Sequence, residues 1–342
     1  EILRAMGLHG RDAAFATELT YGSLRATGTL DLIIASAAGR DVARIDPPAR
    51  DALRLGVYQL LYTRVPAHAA VNQTVDLVRS VAPGAAGFAN AVMREIAEAG
   101  DLEAWLTKLA PAYDDDPIAN LSVLHNHPQW IVRAFAEALG GDLADTARLL
   151  IEDNQPAAVH LCARPGRADA VELADEVGGT PGAFSPYAVY LGGGSPGELA
   201  AIADGRAHVQ DEGSQLVAAA LLAAPVEGRD TRWLDLCAGP GGKAGLLGAI
   251  AAGRGAEVTA VEVAEHRARL VEHATEGMPV TVLPLDGRSV GRDPDLPEES
   301  FDRVLVDAPC TGLGSLRRRP ESRWRRTPAD LPPLTKLQRE LL

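Results

Sequence analysis

The most informative stretch of this chain is a glycine-rich run between a predicted strand and a predicted helix. Its residues are Cys237, Ala238, Gly239, Pro240, Gly241, Gly242 and Lys243. The strand before it covers residues 232–236, and the helix after it covers residues 244–252. Glycines at such a junction let the backbone turn tightly and let a ligand lie against main-chain N–H groups. The pattern predicts a nucleotide-like cofactor at the carboxyl end of the strand.

Three known loop types could explain this run. A Walker A loop needs Ser or Thr after its lysine to hold magnesium, but Ala244 follows Lys243, and Cys237 occupies the upstream glycine position. A dinucleotide-binding fingerprint is formally present at Gly239, Gly241 and Ala244, although this short match is not specific. The third type is the loop of S-adenosylmethionine-dependent enzymes, and residues further along the chain favour it.

Acidic and thiol side chains follow the next predicted strands. Glu262 ends the second strand, roughly 20 residues past the glycine run, where an acid can accept hydrogen bonds from both ribose hydroxyls. Asp286 ends the third strand, where a carboxylate could meet an adenine amino group, and Asp307 and Cys310 follow the fourth. Because the carboxyl ends of parallel strands meet in one crevice, these side chains are expected to converge.

The elements that must position these residues fall into distinct parts of the chain. Apolar residues recur at helical spacing within 13–24, 49–61, 71–81 and 88–96, so the first part is predicted to be helical. A linker rich in proline and aspartate follows at 111–117, and then a helix at 128–139. Strands at 159–163 and 188–191 with a helix at 168–177 indicate a small mixed subdomain.

From residue 232 onward, predicted strands and helices alternate, which is typical of a parallel sheet with helices on its faces. Its later segments are strands at 258–263, 280–285 and 303–306, and helices at 264–275 and 334–342. We therefore predict a multidomain chain. Its parts are an all-α domain at 1–112, linker helices with a small α+β subdomain at 113–205, and an α/β domain at 206–342.

Composition limits the classes of function. The 342 residues are 46% hydrophobic and 23% charged, as in ordinary globular proteins. No apolar run approaches the ~20 residues that span a bilayer. The three cysteines, 162, 237 and 310, are too few and too scattered for a disulfide framework or a zinc site, which fits a reducing cytoplasm. The net charge of −13 means that a nucleic-acid partner would need a local basic patch.

Two motifs of the α/β part carry a family resemblance. Asp307-Ala308-Pro309-Cys310-Thr311-Gly312-Leu313-Gly314, together with the run 237–243, resembles the RsmB/Sun (Nop2/Sun) family of RNA 5-methylcytosine methyltransferases. Residues 209–215 and 317–324 match further. Residues 14–22, 52–60 and 87–94 resemble the NusB-like domain of the bacterial branch of that family. The resemblance covers nearly the whole chain and implies a Rossmann-like fold, S-adenosylmethionine as cofactor and 16S ribosomal RNA as substrate.

The resemblance also implies roles for the candidate residues. The run 237–243 would hold the methionine and ribose end of the cofactor, Glu262 the ribose hydroxyls and Asp286 the adenine. Asp307 would lie between the cofactor and the target cytosine. The loop reads Ala-Gly-Pro where many family members read Ala-Ala-Pro, a change at a position that should tolerate glycine.

The chemistry at cytosine requires a thiolate, because carbon 5 is a poor nucleophile until a cysteine adds to carbon 6. In the family, the attacking cysteine lies in a later Thr-Cys-Ser type motif, and the counterpart of Cys310 assists product release. The sequence has no cysteine between Cys310 and Leu342, so we expect a C-terminally incomplete chain whose nucleophile lies beyond Leu342. The alternative is that Cys310 is the nucleophile, as in DNA cytosine methyltransferases with their Pro-Cys motif.

A basic segment follows the cysteine motif and is the expected RNA-binding site. Arginines bind phosphates and tryptophan stacks on bases. The residues are Arg317, Arg318, Arg319, Arg323, Trp324, Arg325 and Arg326. We expect a cytoplasmic monomer without metal or membrane contact. Two other functions stay open: a non-enzymatic RNA-binding or assembly protein, and a nicotinamide-dependent oxidoreductase, in which residues 307–310 would have no role.

Overall fold

The computed structural model describes residues 5–342, which form two compact units. The helical unit comprises the chain up to Pro156 together with Gly312–Asp330. The α/β unit comprises Ala157–Thr311 together with Leu331–Leu342. The predicted segment 113–205 therefore contributes helices to the first unit and strands to the second. None of the helices formed within 5–342 is long and apolar enough to cross a bilayer.

The helical unit confirms the helices predicted from apolar periodicity and adds α5, α6 and α8. Its helices are α1 (Gly10–Ala38), α2 (Pro47–Tyr62), α3 (Ala67–Val81), α4 (Ala86–Glu98), α5 (Leu102–Leu109), α6 (Pro117–His125), α7 (Gln129–Ala138), α8 (Leu143–Asp153) and the short α14 (Ser322–Arg325). Helix α1 ends at Gly39, whose left-handed φ of 60° lets its N–H bond to the last carbonyls. Helix α2 begins at Pro47, where the missing N–H costs nothing.

The apolar faces of these helices meet in two clusters. Leu30, Leu53, Met93 and Trp105 are fully buried in the cluster formed by helices α1 to α5. A second cluster joins α6, α7 and α8. The predicted linker at 111–117 is irregular, and it ends where Asp116 accepts a hydrogen bond from the Ala119 amide and caps α6.

The α/β unit begins with a small antiparallel sheet in the order β2-β3-β1-β4. Its elements are β1 (Val159–Ala163), α9 (Ala170–Val177), β2 (Thr180–Pro181), β3 (Ala188–Leu191), α10 (Ala200–Ala203) and β4 (Ala207–Val209). Leu161 pairs with Val189 and Val209, and its side chain packs against α9. Strands β1 and β3 agree with the prediction. Strands β2 and β4 were missed because two or three residues carry no measurable alternation.

The parallel sheet of this unit has the order β7-β6-β5-β8. Its elements are α11 (Glu212–Ala223), β5 (Arg232–Asp235), α12 (Gly242–Arg254), β6 (Glu257–Val261), α13 (Glu265–Ala274), β7 (Val280–Leu283), β8 (Arg303–Leu305) and α15 (Leu331–Leu341). Strand β5 is central, with Asp235 opposite Ala260 of β6 and Leu305 of β8. The predicted alternation is confirmed, and the carboxyl ends of the strands open into one crevice.

Candidate functional site

The glycine run packs directly against the end of strand β6. A Cβ added to Gly239 would lie 2.0 Å from Glu262 Oε2, so the end of the Glu262 side chain would have to move. The Arg267 guanidinium donates to the Gly239 carbonyl at 2.5 Å and lies 3.5 Å from Glu262 Oε2. The loop backbone at 239 therefore lies against the carboxylate at the end of β6, as in a ligand-binding loop.

Helix α12 begins at this loop, and the N–H groups of its first turn could bind an anionic group. Gly241 adopts a left-handed φ of 107° and supplies no side-chain cap, so the first N–H groups of α12 have no side-chain acceptor from the cap residue. The Ala238 amide donates to the Val261 carbonyl at 2.9 Å, which ties the loop to β6. Ala238 is itself buried, whereas Pro240 is exposed. Some residues of the predicted loop are thus packed into the interior, as Ala238 is, and others are exposed, as Pro240 is.

Two carboxylates occupy the ends of β6 and β7, as predicted. Glu262 is 5% exposed, and its Oε1 accepts from the Ala264 amide at 3.0 Å. Asp286 is bound by the Arg288 guanidinium, with Nη2 2.6 Å from Oδ2, and this contact lowers the pKa of Asp286. Arg288 also reaches Glu340 of α15 at 2.9 Å. Asp286 therefore acts together with Arg288, a partner that the sequence did not reveal.

A lysine and two aspartates lie where β5 and β8 end. Lys243 Nζ is 2.6 Å from Asp307 Oδ2 and donates to Ser214 Oγ at 3.3 Å. Asp235, the last residue of β5, is 1% exposed, and neither of its oxygens has a hydrogen-bond partner of good geometry. Burial raises the pKa of Asp235 to about 7, against the opposing charge of Lys243. Sequence reasoning missed Asp235 and Ser214, although the place of Asp235 just before the glycine run was a usable signal.

The three cysteines differ in their environment. Burial raises the pKa of Cys162 to about 12. Burial, assisted by the negative charge of Asp235, raises that of Cys237 to about 11. Cys310 is exposed and lies three residues past Asp307. The carbonyl of the preceding Pro309 accepts from Gln338 of α15 at 2.9 Å, which holds this loop in place. Cys310 is thus the most exposed of these three thiols.

The predicted basic segment lies in the helical unit and divides into buried and exposed parts. Arg323 is fully buried and donates to the Asn126 carbonyl at 3.0 Å and to Asn154 Oδ1 at 2.8 Å. Burial lowers its pKa to about 10. Trp324 donates to the Leu24 carbonyl at 3.2 Å, and its ring lies against Gly28. These two side chains hold the segment inside its own unit.

The remaining arginines of the segment lie at or near the surface of that unit. Arg317, Arg319 and Arg325 are exposed, while Arg318 and Arg326 are half-buried. Arg326 lies 4.0 Å from Asp330. The basic surface available to a polyanion is therefore smaller than the sequence alone indicated.

Comparisons with known proteins agree with this geometry. The model described as 16S rRNA methyltransferase RsmB/F matches residues 219–342, and the NusB family model matches residues 2–98. Ribosomal RNA small subunit methyltransferase B of Escherichia coli O6:K15:H31 is 33% identical over 342 residues, covering 97% of this chain and 74% of that protein. The chain belongs to the RsmB/F methyltransferase family.

This RsmB/F family member is also similar to a further relative in sequence and to two proteins of known structure. A Mycobacterium tuberculosis protein named as a candidate methyltransferase is 56% identical over 342 residues, covering 100% of this chain and 74% of that protein. The crystal structure of PH0851 superposes on this chain with a TM-score of 0.77 and 22% sequence identity. The match covers 95% of this chain and 72% of the PH0851 chain. NSun6 from Pyrococcus horikoshii, solved with SFG, superposes with a TM-score of 0.52 and 16% sequence identity. The match covers 63% of this chain and 78% of the NSun6 chain. These two structures support the fold.

Membership in the RsmB/F family settles several sequence-based predictions. The chain is an RNA methyltransferase with a NusB-type helical domain and a Rossmann-like domain, and S-adenosylmethionine is the cofactor of the family. The crevice fits that cofactor, because it offers a glycine loop, an uncapped helix start and a buried carboxylate at the second strand. The two alternatives, a nicotinamide-dependent oxidoreductase and a non-enzymatic RNA-binding protein, are not what the matched family and relatives are named for, which is methyl transfer.

Proposed function

We propose that the protein methylates carbon 5 of a cytosine in 16S ribosomal RNA, in the cytoplasm and as a monomer without metal. The observation that carries the proposal is the Lys243–Asp307 pair at 2.6 Å, three residues before the exposed Cys310. A carboxylate at this point can accept a hydrogen bond from the exocyclic amino group of cytosine, which uracil lacks. Lys243 fixes the orientation of that carboxylate, and Ser214 fixes the orientation of Lys243.

The proposal also assigns cofactor contacts to residues of the crevice. The residues of the glycine run, 237–243, would hold the methionine and ribose end through backbone N–H groups at the start of α12. Glu262 would bind the ribose hydroxyls, and Asp286 with Arg288 would face the adenine. S-adenosylmethionine supplies an electrophilic methyl group when bound. Asp307 would lie between this group and the target base.

The proposed reaction uses a cysteine as a transient nucleophile. Its thiolate adds to carbon 6 of cytosine, and the electron pair that this addition places on carbon 5 takes the methyl group. A base then removes the proton from carbon 5, and the thiolate leaves as the double bond re-forms. We propose that Cys310 assists this release and that the attacking cysteine belongs to the family's Thr-Cys-Ser type motif. The exposure of Cys310 also permits the alternative, in which Cys310 attacks.

The decisive experiment combines product analysis with a cysteine variant. The protein is incubated with unmodified 16S rRNA and labelled S-adenosylmethionine, and 5-methylcytidine is the expected labelled nucleoside. Cys310→Ala is expected to slow release, so that a covalent protein–RNA band accumulates on denaturing gels. Cys162→Ala is the control, since that thiol is buried. Loss of both turnover and band in Cys310→Ala would instead identify Cys310 as the nucleophile, and a different labelled nucleoside would refute the proposed reaction.

The exposed arginines are expected to contribute to RNA affinity through phosphates. Changing Arg317, Arg319 and Arg325 to alanine should weaken RNA binding and flatten its salt dependence by roughly one unit of slope or less for each lost contact. A matched control changes three other exposed arginines, Arg133, Arg148 and Arg269. The measurement is RNA affinity as a function of salt concentration, from low to high salt. Equal slopes of log affinity against log salt concentration in the two triple variants would show that the basic segment is not part of the RNA site.

A further inference from the structure

An exposed aromatic side chain lies on the loop between β2 and β3 of the α/β unit. Phe184 is 76% exposed, although burying a phenylalanine ring away from water would be favourable. Exposure alone has many explanations when a loop can move. What matters for Phe184 is how its backbone is held and what lies beside it.

The loop is fixed by one buried carboxylate. Glu212 is 5% exposed, and its Oε1 accepts from the amides of Phe184 at 2.8 Å and Ser185 at 2.9 Å, while Oε2 accepts from the Tyr190 hydroxyl at 2.5 Å. Burial tends to raise the pKa of Glu212, but the Ser185 amide and the Tyr190 hydroxyl outweigh it and lower the pKa. Gly182 permits this arrangement, because a Cβ there would lie 2.5 Å from Glu212 Oε1. The backbone that carries Phe184 is therefore preorganised.

The helical turn that carries this carboxylate also contacts a lysine of the crevice. Glu212 begins α11, and Ser214 lies two residues further in the first turn of that helix. Ser214 Oγ accepts from Lys243 Nζ at 3.3 Å, and Lys243 pairs with Asp307. The first turn of α11 thus holds the Phe184 loop through Glu212 and, on another side of the helix, contacts Lys243 through Ser214. All of these residues belong to the α/β unit.

We propose that Phe184 is a stacking platform for an unpaired base of the RNA substrate. The inference rests on the proposed function. A base that receives a methyl group on its ring must leave the helical stack, so its neighbours lose stacking partners. Aromatic side chains replace such partners without regard to base identity. Stacking also suits a chain of net charge −13, because it adds affinity that does not depend on positive charge.

The test measures binding of unmodified 16S rRNA to the whole chain with variants at 184. Phe184→Ala and Phe184→Leu should raise the dissociation constant at least about fivefold, since stacking is sequence-tolerant and worth roughly 1–3 kcal/mol per base. Phe184→Tyr should bind as the original protein does, because the ring is kept. The control is Val171→Ala, which removes another exposed apolar side chain, 58% exposed, from α9 of the same small subdomain.

A fluorescent variant separates stacking from loss of apolar area. Phe184→Trp should bind RNA with normal affinity and show quenched tryptophan emission on binding, whereas Val171→Trp should not be quenched. Melting temperatures of all variants check that the fold is kept. Unchanged affinity in Phe184→Ala, or equal quenching at 171 and 184, would overturn the platform while leaving the proposed function intact. Failure of the unaltered protein to bind 16S rRNA would refute the proposed substrate instead.

Discussion

Gly241→Ala is expected to raise the dissociation constant for S-adenosylhomocysteine about tenfold or more. Gly241 has a left-handed φ of 107°, and an added Cβ would lie 3.0 Å from the Val271 Cα and 2.7 Å from the Ala274 Cβ, so the loop must shift. Overpacking of this kind costs ~1–3 kcal/mol, and each ~1.4 kcal/mol is tenfold in affinity. Calorimetric titration of the purified variant measures the change directly.

The same helix offers the matched control for this experiment. Gly253 lies near the end of α12, and a Cβ there would meet nothing within 4 Å, so Gly253→Ala should bind the ligand normally. The double variant Glu262→Ala with Asp286→Ala probes the same pocket by removing two acceptors, each worth about 1 kcal/mol or more. If Gly241→Ala and the double variant both bind as the original protein does, the cofactor is not held at the ends of β5, β6 and β7.

Arg323→Ala is expected to lower the free energy of unfolding of the helical unit by about 3 kcal/mol. The guanidinium is fully buried and donates to the carbonyls of Asn126 and Asp153 and to Asn154 Oδ1. Removing it leaves buried acceptors unpaired, at about 1–3 kcal/mol for each group, and opens a cavity. Urea unfolding followed by circular dichroism reports the loss.

Arg319 is the natural comparison for Arg323, because the two arginines lie four residues apart but differ in burial. Arg319 is exposed, so Arg319→Ala should change stability by no more than about 0.5 kcal/mol. A structural role for Arg323 predicts that its replacement lowers stability first and RNA affinity only as a consequence. The reverse result, full stability with weakened RNA binding, would mean that the guanidinium reaches RNA and is not buried in solution.

Much of the crevice was predictable because its signals are local. A glycine run between a strand and a helix, followed by Glu262, Asp286 and Asp307 at successive strand ends, depends on spacing along the chain. Parallel-sheet topology then brings strand ends together without any detail of packing. The helices of the first part were predictable for a similar reason, since an apolar stripe at helical spacing requires burial on one side. The residue assignments for cofactor and RNA binding stay predictions until the variants are measured.

The contacts that only the tertiary structure decided join residues far apart in sequence. Examples are Lys243 with Asp307, Glu212 with the amide of Phe184, and Arg323 with the carbonyl of Asn126. An arginine-rich segment has the same sequence pattern whether its side chains face solvent or the interior. Its members differ only in whether folding supplies acceptors that offset the cost of removing a charge from water. For Arg323 the carbonyls that end α6 and α8 do so, and no spacing within residues 317–326 could have revealed those partners.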